Sequence, residues 1–110
     1  MHHNNINFTK SELQAFILLY VANADMHISD DEEKFIRKYI KRKDLLEVEK
    51  AFDKCNDAEC LDIILKHKDE FFPSEESKER LIHEIVELIK LDDERNPMEE
   101  AVLMGLKKLL

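Results

Sequence analysis

Two acidic segments of the chain contain the residues best suited to bind a cation. We call residues 25–33 the first acidic corner and residues 92–100 the second acidic corner. Each contains five Asp or Glu residues, with no Lys or Arg in the first corner and one Arg in the second. Together they carry a charge of −9, whereas the whole chain carries −8, so the acidic excess is confined to them. Hard oxygen ligands at this density suit Ca²⁺, Mg²⁺ or Mn²⁺.

The two corners match each other in sequence. Asp25 aligns with Asp92, which lies 67 positions later, and the same offset aligns Glu32 with Glu99. Each corner also lies between an apolar segment and a segment that opens with a helix cap. This pattern predicts a pseudo-two-fold internal repeat.

Helix capping is an alternative explanation of the same acids. Ser29 and Glu32 have the spacing of a capping box, in which each side chain accepts a hydrogen bond from the other residue's backbone. Asp25 follows a predicted helix end, where the macrodipole disfavours a carboxylate by about 0.3–1 kcal/mol. Either the N–H groups of the next helix or a cation shared with Asp30, Asp31 or Glu32 would compensate. Capping is favoured on residue types alone, and both explanations stay open.

Helices are predicted to position these corners. One Gly and two Pro in 110 residues are too few for the turns of an all-β domain. Helical spacing of apolar residues follows each of six predicted caps, which are Thr9, Ser29, Asp44, Asp57, Ser74 and Asn96. The sequence therefore predicts an all-α fold, a compact bundle of about six short helices. The first helix is apolar around most of its girth, so we expect it at the centre of the core.

Length and charge limit the organisation and the partners. A chain of 110 residues and 13.1 kDa predicts one domain, residues 1–110, with 1–8 as a loose N-terminal segment. Met1–Asn7 is polar and no apolar run reaches 18 residues, so we expect no signal peptide, no membrane span and a cytoplasmic location. A charge of −8 disfavours binding to nucleic acid.

Two other groups of residues have weaker claims to function. Basic residues recur at helical spacing on the second predicted helix: Lys34, Arg37, Lys38, Lys41 and Arg42. The favoured interpretation is that these residues form a solvated helix face, and the alternative is docking to an acidic partner or an anionic membrane.

A zinc site is the other alternative. Its four residues would be Cys55, Cys60, His67 and His83. They lack the paired spacing of a zinc site, so reduced thiols and surface histidines are favoured. No nucleophile motif or phosphate-binding loop is present, and we expect no enzymatic activity.

The first corner and its flanks resemble a known family. Val21-Ala22-Asn23-Ala24-Asp25 followed by Ile28-Ser29-Asp30-Asp31-Glu32 is similar to the first signature of the TerB-like (tellurite resistance) family. That signature is an apolar helix ending in Ala-Asp-Gly, with a Glu seven positions after the Asp. The second corner repeats the Asp and Glu at Asp92 and Glu99. The glycine of the family is Met26 in one half and Asp93 in the other.

The resemblance implies an all-α domain related to the N-terminal domain of membrane-anchored DnaJ-type co-chaperones. It implies a role in bacterial stress response and divalent-cation ligands at Asp25, Glu32, Asp92 and Glu99. We therefore expect a small, non-catalytic binding or adaptor domain that takes Ca²⁺, Mg²⁺ or Mn²⁺ as its one candidate cofactor. The alternative is a metal-independent protein-interaction module. Another protein is the expected partner, and the chain itself is expected to be a monomer or weak homodimer.

Overall fold

A capping box starts the first helix, as the sequence predicts. The computed structural model describes residues 8–25, 28–91 and 96–110 of the chain. Helix α1 spans Lys10–Ala22, and Thr9 is its cap. The backbone N–H of Thr9 donates to Glu12 Oε1 at 2.8 Å, and the N–H of Glu12 donates to Thr9 Oγ1 at 3.2 Å. A short 3-10 turn, Asn23–Asp25, follows α1 directly.

The described residues form six helices and no strand, which confirms the all-α prediction. After α1 come α2 (Asp30–Ile36), α3 (Arg42–Asp53), α4 (Asp57–Phe71), α5 (Glu75–Ile89) and α6 (Pro97–Leu109). The radius of gyration is 12.9 Å, close to the value of about 13 Å expected for a compact chain of this length. The helices therefore form a compact bundle, while the internal repeat stays a prediction.

Helix α1 lies at the centre of this bundle, as its apolar girth predicts. Its buried residues point in every direction around the helix: Leu13, Ala15, Phe16, Ile17, Leu18, Leu19, Val21 and Ala22. Each of the five other helices, α2 to α6, contacts α1. Burial of each large apolar side chain, such as Leu13 or Phe16, stabilises the fold by about 1.5–3 kcal/mol. Phe8, just before the helix, stacks on Phe16 with ring centroids 5.2 Å apart; the rest of the predicted loose segment, residues 1–7, lies outside the described residues.

Four of the six predicted caps are confirmed and two are wrong. Thr9, Ser29, Ser74 and Asn96 each cap a helix through the side chain. Asp57 is the first residue of α4, and the cap is Asn56, whose Oδ1 accepts from the N–H of Glu59. Asp44 lies within the first turn of α3 and does not cap it. Asn56 and Asp57 are adjacent polar residues, and the sequence alone did not separate the cap from the first turn; the cap position of α3 instead lies three residues before Asp44 and carries no capping side chain.

The prediction of a basic stripe along the second helix is wrong. Helix α2 ends at Ile36, and the N–H groups of Lys38 and Tyr39 bond three residues back, to Phe35 and Ile36. These tighter turns end the helix without Gly or Pro. The chain then changes direction so that α3 packs on α1. Consequently the basic residues surround the link between α2 and α3 and do not share one helix face.

Helix α3 begins without a side-chain cap, unlike the other helices of the described ranges. Lys41 occupies the cap position in an extended conformation and makes no capping hydrogen bond. Arg42 and Lys43 follow, so three cations lie where the macrodipole is positive. The start of α3 is therefore destabilised locally, and its packing on α1 compensates.

Replacing Lys41 with a capping residue should stabilise the protein. The extended backbone at this position suits a cap, so Lys41→Ser should raise the free energy of unfolding by about 1 kcal/mol relative to Lys41→Ala. Both variants remove the same charge, so the difference isolates the hydroxyl hydrogen bond. Urea unfolding monitored by circular dichroism measures it. Equal stability of the two variants would contradict the account of this helix start.

Candidate functional site

Glu32 of the first acidic corner lies inside the protein. It is the third residue of α2, and only 2% of its surface is exposed. Its Oε1 accepts a hydrogen bond from the backbone N–H of Ser29 at 2.9 Å, and its own N–H donates to Ser29 Oγ at 3.1 Å. One oxygen of the Glu32 carboxylate, Oε1, therefore completes the predicted capping box.

The second carboxylate oxygen of Glu32 is not explained by capping. Oε2 is buried and has no hydrogen-bond partner among the residues described. A buried carboxylate oxygen without a donor or a cation carries a large desolvation cost, at least about 1–3 kcal/mol by comparison with other unsatisfied polar groups. Most such groups in proteins have a partner, so this atom marks a place where a donor or a cation is needed.

Glu99 of the second acidic corner is also buried, with none of its surface exposed. It is the third residue of α6, which begins at Pro97. Asn96 caps this helix, since its Oδ1 accepts from the N–H groups of Met98 and Glu99 at 3.1 and 3.2 Å. Glu32 and Glu99 are the two charged side chains that are buried within the described part of the chain.

The structure brings the start of α6 beside the end of α1. Helix α6 packs against the turn Asn23–Asp25 as well as against α1. Asn23, Ala24 and Val102 line one cavity, which places the first half of α6 at this turn. The turn that ends at Asp25 and the helix that begins at Pro97 are therefore in contact, although they are far apart in sequence.

The other predicted ligands are not all described. Asp92 lies outside the described residues, and so does the side chain of Asp25; His27 lies outside them as well. Asp30 and Asp31 are exposed at the start of α2. Among the residues that are described, no three His, Cys, Asp or Glu side chains form a group that could hold a metal ion. A complete ligand set would therefore need Asp25 or Asp92 beside the buried glutamates.

The four residues of the zinc alternative do not form one group. The Cys60 thiol approaches the Cys55 carbonyl oxygen at 4.0 Å, so the two cysteines are neighbours. His67 bonds through Nδ1 to Ile63 O at 2.8 Å, and His83 pairs with Glu87 at 2.8 Å on the surface. No sulfur–sulfur bond joins the cysteines.

Burial controls the chemistry of these thiols. It raises the pKa of Cys60 to about 12, with the neighbouring Cys55 and Asp57 adding to the shift. The pKa of Cys55 is also raised, first by burial and then by Glu59. Since the thiolate is the reactive form, both cysteines are poor nucleophiles.

A trough beside these cysteines was not predicted from the sequence. Tyr20 and Val102 both line two cavities: one of about 380 Å³, which the ends of α1 and α3 and the start of α4 also border, and one of about 100 Å³ between α4 and α6. We call the two together the trough. Burial raises the pKa of Tyr20 to about 12, and a hydrogen bond with the Asp57 carboxylate adds to the shift. The Tyr20 side chain is only partly buried, so it reaches both the core and the trough.

A scan against protein-family models and searches of curated proteins and of solved structures returned no match for this chain. None of the helices in residues 8–25, 28–91 and 96–110 has the length and apolar character needed to cross a membrane.

The thiols should be slow to alkylate in the native protein. At pH 8 a rise in the pKa of Cys60 from 9 to about 12 lowers its thiolate fraction, so iodoacetamide should modify it at least about a hundredfold more slowly than in urea. Cys55, which is only partly buried, should react first. Mass spectrometry of timed samples measures both rates. Native Cys60 reacting as fast as in urea would contradict the burial seen here.

Proposed function

We propose that this chain is a small, non-catalytic binding domain of the TerB type, in which the two acidic corners bind a divalent cation. The observation that supports this most strongly is the buried Oε2 of Glu32, which has no hydrogen-bond partner among the described residues. A divalent cation would offset the cost of burying this oxygen. Capping already accounts for Oε1 and leaves Oε2 available as a ligand.

The position of Glu99 adds to this support. It is buried in the first turn of α6, as Glu32 is in the first turn of α2. The start of α6 also adjoins the end of α1, as the packing of α6 on the turn Asn23–Asp25 indicates. In this proposal Asp25 and Asp92 complete the ligand sets of Glu32 and Glu99.

The ion proposed is a hard one, Ca²⁺, Mg²⁺ or Mn²⁺, because every proposed ligand is a carboxylate. The domain would use the ion to fix the end of α1 against α2 and α6, and so to shape a surface for a partner protein. On the TerB resemblance, the proposal includes a role in bacterial stress response, in the cytoplasm. No catalytic step forms part of this proposal.

The second candidate is a metal-independent interaction module. It is favoured by the repeated use of reciprocal capping boxes in this chain, at Thr9, Ser29, Asn56 and Ser74. Glu32 then serves as a cap like Glu12 and Glu59 in the equivalent positions. Those two residues are not buried, however, and this difference favours the cation.

Titration of the ¹⁵N-labelled protein with Ca²⁺, Mg²⁺ and Zn²⁺, and with Mn²⁺ through line broadening, tests the proposal. We expect saturable changes in the two acidic corners, with one shared isotherm if a single ion joins them. Glu32→Gln keeps an oxygen for the cap and removes the charge, so it should weaken binding at least about tenfold. Asp25→Asn combined with Asp92→Asn should abolish saturation.

Asp30→Asn combined with Asp31→Asn is the matched control. It removes two charges from exposed positions of the same corner, and it should change the affinity only slightly. If the control weakens binding as much as Glu32→Gln does, the ion responds to general charge and not to a site. Diffuse, unsaturable shifts in the unmodified protein would contradict the cation proposal and leave the interaction module.

A further inference from the structure

The trough between α4 and α6 has a floor and two helical walls. Tyr20 of α1 forms part of its floor, because both cavities include it. Leu61 lines it from α4, and Val102 and Leu109 line it from α6. At one end Lys68 Nζ of α4 donates to Leu109 O of α6 at 3.0 Å and ties the two helices together. The trough is therefore bounded by well-defined helices.

Gly105, the one glycine of the chain, lies on the wall formed by α6. A glycine within a helix costs about 0.5–1 kcal/mol relative to alanine. No internal contact requires it, because a Cβ built at Gly105 would meet no atom within 4 Å. The missing side chain instead leaves room for a backbone from outside to approach α6 closely, as small residues do where two helices pack.

The other end of the trough is acidic. Asp53 and Asp57 line it, and neither forms an ion pair with any described residue. Apolar surface continues along the same side of α6, where Met98 is 57% exposed and Leu109 is 41% exposed. Met98, Val102, Gly105 and Leu109 follow the four-and-three spacing of one helix stripe. A ligand that fits both features is apolar along one face and carries positive charge.

We propose that this trough binds an amphipathic, basic helix of a partner protein. Its apolar face packs on Tyr20 and Val102 and crosses α6 at Gly105, while its Lys or Arg side chains pair with Asp53 and Asp57. This is the helix-in-groove mode of recognition, with apolar anchors at helical spacing. The residues that line the trough are not among the proposed cation ligands Asp25, Glu32, Asp92 and Glu99, so variants of the trough leave every proposed ligand unchanged.

A synthetic peptide of about 18 residues, long enough to form a helix on binding, is the probe. Leu recurs in it at positions i, i+3, i+4 and i+7, and Lys fills the remaining positions; a control peptide has Glu in place of Lys. Fluorescence anisotropy of the labelled peptides measures affinity, and amide shifts of the protein locate the site. We expect the Lys peptide to bind and to shift Tyr20, Leu61 and Gly105, and the Glu peptide to bind at least tenfold more weakly.

Two variants with matched controls separate this site from general attraction to an acidic protein. Gly105→Gln fills the space above α6 with a good helix former, and it should weaken Lys-peptide binding at least tenfold. Met104→Gln, on another side of α6, should not. Asp57→Asn should weaken binding several-fold, whereas Asp62→Asn, an exposed acid of the same helix, should change it less than twofold. Circular dichroism confirms that each variant is folded.

Several results would overturn the proposal. They are equal binding of the two peptides, amide shifts that lie away from the trough, and unchanged affinity of Gly105→Gln. Sedimentation showing a dimer that Gly105→Gln dissociates would make a second copy of this chain the occupant. Peptide affinity measured in EDTA, with no divalent cation present, tests this proposal by itself, so failure of the cation proposal and failure of this one are distinguishable.

Discussion

The burial of α1 on all sides is the constraint on which the rest of the structure depends. A helix whose apolar residues cover its whole girth cannot lie on a surface, and it needs other helices around it to exclude water. Here α2 to α6 provide that cover, each in contact with α1. The short links and abundant caps of this chain follow from this arrangement, because each surrounding helix must begin again after a change of direction.

The same constraint accounts for the burial of the two glutamates. Helices α2 and α6 both pack on α1, α6 also packs on the turn that follows it, and each buries the glutamate of its first turn. An acid at the third position of a helix stabilises an exposed helix start, as Glu12 and Glu59 do. At Glu32 the same residue type is enclosed by the core, and its Oε2 needs a donor or a cation because it has no hydrogen-bond partner among the described residues. The cation proposal therefore follows from burial and not from acidic composition.

Local chemistry explains which features could be predicted from the sequence. The caps at Ser29, Ser74 and Asn96 depend on residues within one turn, so the sequence predicts them directly. The end of α2 at Ile36 has no Gly or Pro to mark it and depends on how α3 packs on α1. An acid three residues after a cap has the same pattern whether it is exposed or buried, so the burial of Glu32 required the structure.

The trough could not be predicted for a related reason. Tyr20 and Val102 are more than eighty positions apart, and only the packing of the bundle brings them together. Gly105 was the one available signal, since a lone glycine within a helix pattern needs an explanation. The structure adds the observation that the space beside Gly105 is open, which suggests that a partner's backbone approaches there.

Anomalous diffraction from crystals grown with Mn²⁺ tests the central claim most directly, because it locates the ion relative to one named atom. We expect an anomalous peak about 2.0–2.3 Å from Glu32 Oε2, at a typical oxygen-ligand distance for a hard divalent cation. Crystals that contain Mn²⁺ but show a water molecule or a protein donor on Oε2, and no anomalous peak there, would contradict it.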